Sequence, residues 1–233
     1  MMTHELINLS AHAIRTLLQD QQVSPLELLD ALEARIGEVD GAVNALPTLC
    51  FERARIRARD ENFSDLPLAG MPIVIKDLLT VSGVRTTFGS MRYRDHIPES
   101  SDLLVERIEA AGGIVYAKSN TPEFGAGANT FNDVFGFTRN PWNTALSAAG
   151  SSGGSAVALA TGMAWLATGS DLGGSLRNPA SFCNVVGMRP SPGRVPTWPH
   201  RVGWFPLAVE GPMARTVQDA ALFLSALAGP DPR

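Results

Sequence analysis

The spacing of apolar and polar residues along the chain predicts helices that alternate with buried strands. Ser24, Pro25 and Glu27 have the spacing of a capped helix start, and apolar residues recur at helical intervals from Leu28 onward. Residues 72–75, Pro-Ile-Val-Ile, are apolar at every position, which is typical of a strand buried on both faces. This alternation of helices with fully apolar strands indicates an α/β fold.

Further elements follow from the same patterns. Glycines follow several of the predicted helices, as expected where a helix ends in a left-handed residue. Residues 189–212 are rich in proline and glycine, and we expect them to form an ordered loop region. The remaining predicted elements are helices over 103–111, 155–161 and 216–228 and strands over 114–117 and 166–168.

Composition narrows the function classes. The chain has 233 residues, of which 45% are hydrophobic and 18% charged, enough for one large domain with its own core. The net charge of −4 argues against a nucleic-acid-binding protein. The longest apolar run, residues 156–168, is shorter than the ~20 residues that span a bilayer, and the N-terminus lacks a signal-peptide pattern. With two distant cysteines, Cys50 and Cys183, we expect a cytoplasmic protein that has no membrane partner and no disulfide framework.

Two serine- and glycine-rich blocks, residues 148–156 and 169–180, carry the chemistry of this chain. Glycine lets a backbone approach a ligand closely and leaves its N–H groups accessible. The run Leu172-Gly173-Gly174-Ser175 would offer consecutive N–H groups at a tight turn, as an oxyanion hole requires. Because small hydroxyl nucleophiles lie beside these donors, the two blocks indicate chemistry on a carbonyl carbon.

Lys76, at the end of the apolar strand 72–75, is the candidate base. Burial disfavours the ammonium form, and a neutral lysine near a serine can replace the histidine of an ordinary serine hydrolase. The alternative is a strand-end lysine that reaches solvent or pairs with Asp77. The four histidines, His4, His12, His96 and His200, lack the spacing of metal ligands, and we expect neither a metal nor an organic cofactor.

Several motifs occur in the order found in the amidase signature family of serine hydrolases, which this chain resembles. They are GMPIVIKD, TPEFG with NPW downstream, GSSGGSA and DLGGSLRNPASFCNVVGMRPSPGRVP. The resemblance implies an α/β fold with a mixed β-sheet flanked by helices on both faces, incomplete at the C-terminal end. It also implies a single domain over 1–233, with a helical segment over about 1–65 and a catalytic core over about 66–229.

The resemblance also assigns roles to individual residues. Ser175 is implied to be the acylated nucleophile, Lys76 the base, and Ser151, preceded by a cis peptide bond, the relay between them. The other implied roles are the backbone N–H groups of Leu172, Gly173, Gly174 and Ser175 as oxyanion donors, Asp171 and Arg177 as supports of the nucleophile turn, Ser152 as a supporting hydrogen-bonding residue, and Gly125 in the acyl pocket.

The implied reaction is hydrolysis of a small-molecule amide through an acyl-enzyme, without a cofactor. Two residues depart from the family pattern: Ala149 replaces a usual glycine and Ser170 a common threonine. The chain has about half the length of a typical member, so we expect either that it is a fragment or processed product, or that a homodimer or a second chain completes the fold.

Three alternatives stay open at this level. An amidotransferase subunit of the same family would share the triad and act on glutamyl-tRNA with partner subunits and an ammonia channel, although the loop RPSPGRVP is more like that of free-standing amidases. An α/β-hydrolase would use Ser152 in its G-x-S-x-G elbow, with His200 as the only downstream histidine. A non-enzymatic anion- or nucleotide-binding module would cradle a phosphate in GSSGGS, but the phosphate-binding motifs are absent.

Overall fold

A mixed six-stranded β-sheet organises the fold, and the computed structural model describes residues 3–199, 202 and 205–231. The strands are β1 Thr48–Leu49, β2 Pro72–Lys76, β3 Ile114–Ser119, β4 Phe131–Asn132, β5 Gly136–Phe137, β6 Leu166–Asp171, β7 Val186–Gly187 and β8 Val209–Ala214, and β4 and β5 form a separate two-stranded sheet. The strand order in the large sheet is β1-β3-β2-β6-β8-β7, with β3, β2 and β6 parallel and the other neighbours antiparallel. The mixed sheet flanked by helices is thus confirmed.

Eight α-helices accompany the sheet in the described ranges. The structure confirms the predicted capping box, in which the Ser24 side chain accepts from the Glu27 N–H and Glu27 reaches back to the Ser24 N–H. Thr216 caps the last helix at its predicted start. The helices are α1 Thr3–Asn8, α2 Ala11–Gln19, α3 Pro25–Val43, α4 Phe51–Asp60, α5 Leu103–Ala110, α6 Gly153–Ala160, α7 Arg177–Cys183 and α8 Val217–Leu227.

The core lies between the parallel strands and the helices that cover them. Ile73, Val74 and Ile75 of β2 are fully buried, in agreement with the uninterrupted apolar pattern of this strand. Because β2, β3 and β6 are parallel, their carboxyl ends meet at one edge of the sheet, a common position for ligand sites in α/β folds. Lys76, Ser119 and Asp171 are the last residues of these three strands.

The expectation of a loop over 189–212 was wrong at its end, because β8 begins at Val209. Gly211 and Pro212 are typical of turns, yet both lie within this strand. A Cβ on Gly211 would lie 2.5 Å from the Met188 carbonyl oxygen, so glycine is needed here for close packing. The Pro212 carbonyl accepts a hydrogen bond from the Met188 N–H at 3.1 Å. Tertiary packing therefore overrides the local turn signal.

Two findings concern the predicted lack of a disulfide framework and of a membrane span. Cys50 and Cys183 are both free thiols. No helix in the part of the chain that the structure describes is both long enough and apolar enough to cross a bilayer.

Candidate active site

Helix α6 holds the first serine-glycine block against the sheet, and its glycines explain how. A Cβ on Gly153 would lie 2.3 Å from the Thr130 Oγ1, and one on Gly154 would lie 2.4 Å from the Asn120 backbone nitrogen. Both glycines thus permit close packing of the helix start on neighbouring segments, not approach to a ligand. This packing fixes Ser151 and Ser152 directly before the first turn of α6.

Lys76 lies at the centre of three serine hydroxyls. Its Nζ lies 2.7 Å from the Ser151 Oγ, 2.9 Å from the Ser152 Oγ and 2.8 Å from the Ser170 Oγ. The side chain is fully buried, and no carboxylate of the described residues forms an ion pair with it. The alternatives of a solvent-exposed lysine and of a pair with Asp77 are therefore wrong, since Asp77 pairs with Lys118 instead.

Burial gives Lys76 the properties of a base. Removal from water lowers the pKa of Lys76 from its usual 10.5 to about 7, although the negative charges of Glu210 and Asp171 oppose the shift. A neutral amine has two N–H donors and one lone pair. Three hydroxyl partners match this set, provided that one hydroxyl donates to the lone pair.

The hydrogen bonds of Ser151 and Ser152 show which of these two hydroxyls can donate to the lysine lone pair. The Ser152 Oγ donates to the Ser170 carbonyl at 3.3 Å and accepts from the Ser170 N–H at 3.2 Å. With its proton engaged, Ser152 accepts from Lys76. The Ser151 Oγ has Lys76 as its one hydrogen-bond partner among the described residues, so its proton is free to interact with the lysine lone pair. The peptide bond before Ser151 is cis, as the resemblance implied.

Asp171 organises the tight turn between β6 and α7, which lies within the second serine- and glycine-rich block. Its Oδ1 accepts from the Gly174 N–H at 2.8 Å and its Oδ2 from the Leu176 N–H at 3.2 Å. The Arg177 guanidinium pairs with both carboxylate oxygens at 3.0 and 3.1 Å, and Arg189 adds a further ion pair at 3.1 Å. Burial by itself would raise the pKa of Asp171, but these donors lower it to about 2. Asp171 and Arg177 thus lie together at this turn, and the supporting roles expected of them stay predictions.

Ser175 lies half-buried at the end of this turn. Its carbonyl accepts from the Ser152 N–H at 3.2 Å, which brings the two blocks together. The Ser175 Oγ has no hydrogen-bond partner among the described residues. Gly174 departs from the expected oxyanion donors, because its N–H is engaged by Asp171. The N–H groups of Leu172, Gly173 and Ser175 have no such partner in the described ranges.

Gly125 lies beside the serines, in the loop after β3. Its φ of +69° favours glycine, and a Cβ there would lie 3.6 Å from the Ser151 Oγ and 2.6 Å from the Leu78 Cδ1. A glycine at this position keeps the space in front of Ser151 open. The role of Gly125 in an acyl pocket stays a prediction.

Sequence reasoning missed two polar residues at this site. Ser170 was identified only as a departure from the family pattern, yet its hydroxyl contacts Lys76. Glu210 lies in the strand that was taken for a loop, directly opposite Ser170 in the β6–β8 pairing. Burial raises the pKa of Glu210 to about 7, against the opposing effect of the Lys76 charge. The position of Ser170 inside the second serine- and glycine-rich block could have indicated this residue, whereas Glu210 required the strand pairing.

The other chemical alternatives find no support in this geometry. Ser152 is fully buried, and none of the described histidines hydrogen-bonds it, as an α/β-hydrolase would require; His200 lies outside the described residues. Among the described residues, no group of three or more His, Cys, Asp or Glu side chains is placed to hold a metal ion.

Curated relatives are similar to this chain over most of its length. A glutamyl-tRNA(Gln) amidotransferase subunit from Synechococcus sp. is 41% identical over 232 residues, which cover 97% of this chain and 47% of the relative. The protein of the same name from Moorella thermoacetica is 43% identical over 236 residues, which cover 98% and 48%. The chain thus spans about half the length of the curated relatives it matches.

Solved structures and a family model agree on the family. A bacterial aryl acylamidase of the amidase signature enzymes matches with a TM-score of 0.89 and 34% identity, over 96% of this chain and 48% of that structure. The 6-aminohexanoate cyclic dimer hydrolase in complex with its substrate matches with a TM-score of 0.90 and 34% identity, over 97% and 48%. The model of the Amidase family matches residues 27–233. This chain belongs to the Amidase family, the amidase signature enzymes.

Proposed function

We propose that this chain carries the catalytic machinery of a serine amidase, with Lys76, Ser151 and Ser175 as its triad. The observation that carries the proposal is the buried Lys76 amine, which contacts three serine hydroxyls and no carboxylate. With its pKa lowered to about 7, a large fraction of this amine is neutral near pH 7 and can accept a proton. The seven-residue helix α7 and the Asp171 network hold the turn that ends at Ser175.

In the proposed acylation step, Ser175 attacks the amide carbonyl carbon as its proton passes to the Ser151 Oγ. The Ser151 proton moves at the same time to the lone pair of Lys76. The carbonyl oxygen becomes an oxyanion, and we assign its stabilisation to the backbone N–H groups of Leu172, Gly173 and Ser175. We assign Gly174 a supporting part, because its N–H binds Asp171.

The same relay returns the proton in the proposed second half of acylation. Lys76 protonates Ser151, Ser151 protonates the leaving nitrogen, and the C–N bond breaks to leave a Ser175 ester. Water then hydrolyses the ester by the same sequence of proton transfers. Gly125 would line the acyl side of the pocket, because a side chain there would fill the space in front of Ser151.

The test is to label the chain with a fluorophosphonate, which reacts with activated serines, and to locate the adduct by peptide mass spectrometry. We expect labelling at Ser175, loss of labelling in Ser175→Ala and Lys76→Met, and strong reduction in Ser151→Ala. Ser152→Ala is the matched control, because its hydroxyl proton is engaged by the Ser170 carbonyl, and it should retain labelling at a reduced rate. An adduct at Ser152 that persists in Ser175→Ala would overturn the assignment.

The sequence relatives favour a second candidate, an amidotransferase subunit. Two relatives at 41% and 43% identity have the name of a glutamyl-tRNA(Gln) amidotransferase subunit. Such a protein would use the same acyl-enzyme to release nitrogen from an amide donor and would need partner subunits. A panel of small aryl and alkyl amides beside glutamine separates the two: hydrolysis of glutamine alone favours the transferase, and hydrolysis of the other amides favours the free amidase.

The assembly of the chain is part of the same proposal. We propose that a second polypeptide or a second copy of the chain completes the fold around the site, since the matched relatives are about twice as long. Intact mass and light scattering of the purified material test this. A cytoplasmic location is also proposed, and the two free cysteines support it.

A further inference from the structure

Glu210 is a half-buried residue, and the proposed triad does not use its carboxylate. In the antiparallel pairing of β6 with β8, Glu210 lies directly opposite Ser170. Side chains of directly opposed residues leave the sheet on the same face. The Ser170 hydroxyl contacts the Lys76 Nζ at 2.8 Å, so Glu210 leaves the sheet on the side of the lysine amine.

The Glu210 carboxylate is not satisfied by its surroundings. Its Oε2 is buried and has no hydrogen-bond partner among the described residues. It also forms no ion pair with Lys76, so the two groups interact through the low-dielectric interior and not by contact. An isolated buried carboxylate is costly, and the usual response is to take up a proton.

We infer that Glu210 is a positioning residue that shares one proton with Lys76, so that its charge sets the pH at which the Lys76 amine becomes a base. Moving the proton from the ammonium to the carboxylate breaks one N–H bond and forms one O–H bond. The ion pair becomes a neutral pair, and no proton is released. The effect on turnover rests on the proposed function, whereas proton sharing is a property of the folded chain.

The titration behaviour of both residues supports the inference. Burial lowers the pKa of Lys76 to about 7 and raises the pKa of Glu210 to about 7, and each charge opposes the shift of the other. Two groups that interact in this way titrate as a pair.

Other charged groups also face this pair. Asp171 of β6 favours the Lys76 cation, and Asp102, before α5, further raises the pKa of Glu210. Arg177 and Arg189 are held by Asp171 at the end of β6, where they balance its charge. The nearby serines Ser151, Ser152 and Ser170 are uncharged. Lys76 is therefore the cation whose removal should change Glu210 most.

The direct test is a carboxyl-carbon NMR titration of the chain labelled with 13C-carboxyl glutamate. The Glu210 resonance is the one absent from Glu210→Gln. We expect a titration midpoint near 7 in the unsubstituted chain. In Lys76→Met the midpoint should rise by about one pH unit or more, because the favourable cation is lost. A midpoint in the ordinary range of glutamate, or one that Lys76→Met leaves unchanged, would overturn the inference.

The second test follows the pH dependence of fluorophosphonate labelling in Glu210→Gln. Without the carboxylate, Lys76 loses a group that stabilises its cation. The acid limb of the profile of labelling rate against pH should therefore move to lower pH. At pH 6 the labelling rate, relative to its maximum, should rise severalfold. Glu123→Gln is the matched control, because Glu123 is exposed in the loop beside Gly125 and its removal should leave the limb in place. An unshifted limb in Glu210→Gln overturns the inference. A chain with the NMR shift but no labelling at any pH supports the shared proton and contradicts the proposed function.

Discussion

Two lysines on neighbouring parallel strands are equally buried but have different surroundings. Lys76 ends β2 and Lys118 lies in β3, and neither exposes any surface. The Lys118 Nζ pairs with the Asp77 Oδ1 at 2.8 Å and with the Thr86 Oγ1 at 2.9 Å. The Lys76 Nζ contacts three serine hydroxyls and no carboxylate.

This difference separates a structural cation from a candidate base. Burial lowers the pKa of both lysines, but at Lys118 the adjacent Asp77 carboxylate opposes the shift by charge and hydrogen bond. At Lys76 the opposing charges, Glu210 and Asp171, form no ion pair with the amine. A buried lysine is thus held as a cation by a contacting carboxylate and made available as a base by hydroxyl partners.

The largest expected effect is that of Lys76→Met on catalysis. Loss of the base should lower the rate of Ser175 acylation by about 10²–10⁴-fold, the usual contribution of a positioned general base. The measurement is the rate of fluorophosphonate labelling. The substitution also removes a buried amine that forms hydrogen bonds but no ion pair, so the free energy of unfolding should fall less than in Lys118→Met. A labelling rate within a fewfold of the unsubstituted chain would remove Lys76 from the mechanism.

The second expected effect is that of Lys118→Met on stability. Removing one partner of a buried ion pair leaves Asp77 uncompensated and should lower the free energy of unfolding by about 3–5 kcal/mol. Urea denaturation measures this change. The double substitution Asp77→Leu with Lys118→Met should recover much of the loss, because no buried charge remains. Equal stability of Lys118→Met and Lys76→Met would contradict the contrast between the two lysines.

The third prediction concerns the pH dependence of stability. The pKa of Lys76 is about 7 in the folded chain and 10.5 as its ordinary value, so between these pH values the unfolded chain binds more protons. The free energy of unfolding should therefore rise with pH from about 7 upward. Glu210 has a pKa of about 7 in the folded chain and an ordinary value of 4.5, so between pH 4.5 and 7 the folded chain binds more protons. The contribution of Glu210 to the free energy of unfolding should therefore fall as the pH rises from 4.5 to 7.

These opposite slopes predict a minimum near pH 7 in the contribution of the two residues to stability. Denaturation curves from pH 5 to pH 10 for the unsubstituted chain and for Lys76→Met measure it. The rise above pH 7 should be weaker in Lys76→Met. If the two chains show parallel curves, the pKa of Lys76 is not lowered in the folded state.

The smallest expected effect is that of Ser170→Ala. This substitution removes one of the three hydroxyls around Lys76, and a single hydrogen bond contributes about 0.5–1.5 kcal/mol, so labelling should change by up to about tenfold. Ser170→Thr retains the hydroxyl and serves as the matched control, with a rate close to that of the unsubstituted chain. A loss as large as that of Lys76→Met would give Ser170 a direct part in proton transfer.

Much of the fold could be predicted because its signals are local. The cap of Ser24 and Glu27, the apolar run of β2 and the start of α8 at Thr216 depend on neighbours within one turn or one strand. The strand β8 was missed because Gly211 and Pro212 are typical of turns. Their place in a strand depends on Met188 and β6, which are distant in sequence.

The candidate site, like the fold, could be predicted only in part. Sequence motifs indicated Lys76, Ser151 and Ser175, and their catalytic roles stay predictions for the experiments above. Gly153 and Gly154 were expected to expose backbone to a ligand, but they contact Thr130 and Asn120 instead. Gly174 was expected to face an oxyanion, but its N–H binds Asp171. Thr130 and Asn120 are distant in sequence, and the Asp171 contact depends on how the turn folds, which residue type alone does not specify.

By itself, the sequence determined the kinds of groups at the site and the elements that carry them: a lysine that ends an apolar strand, serines before a helix, and glycines at a turn. The tertiary structure decided what surrounds each group. It placed Ser170 against the Lys76 amine and Glu210 opposite Ser170 in the next strand, and it paired Asp77 with Lys118. The physical reason is that burial and charge pairing act through space. The pKa of a lysine depends on which distant residues the fold brings to its amine.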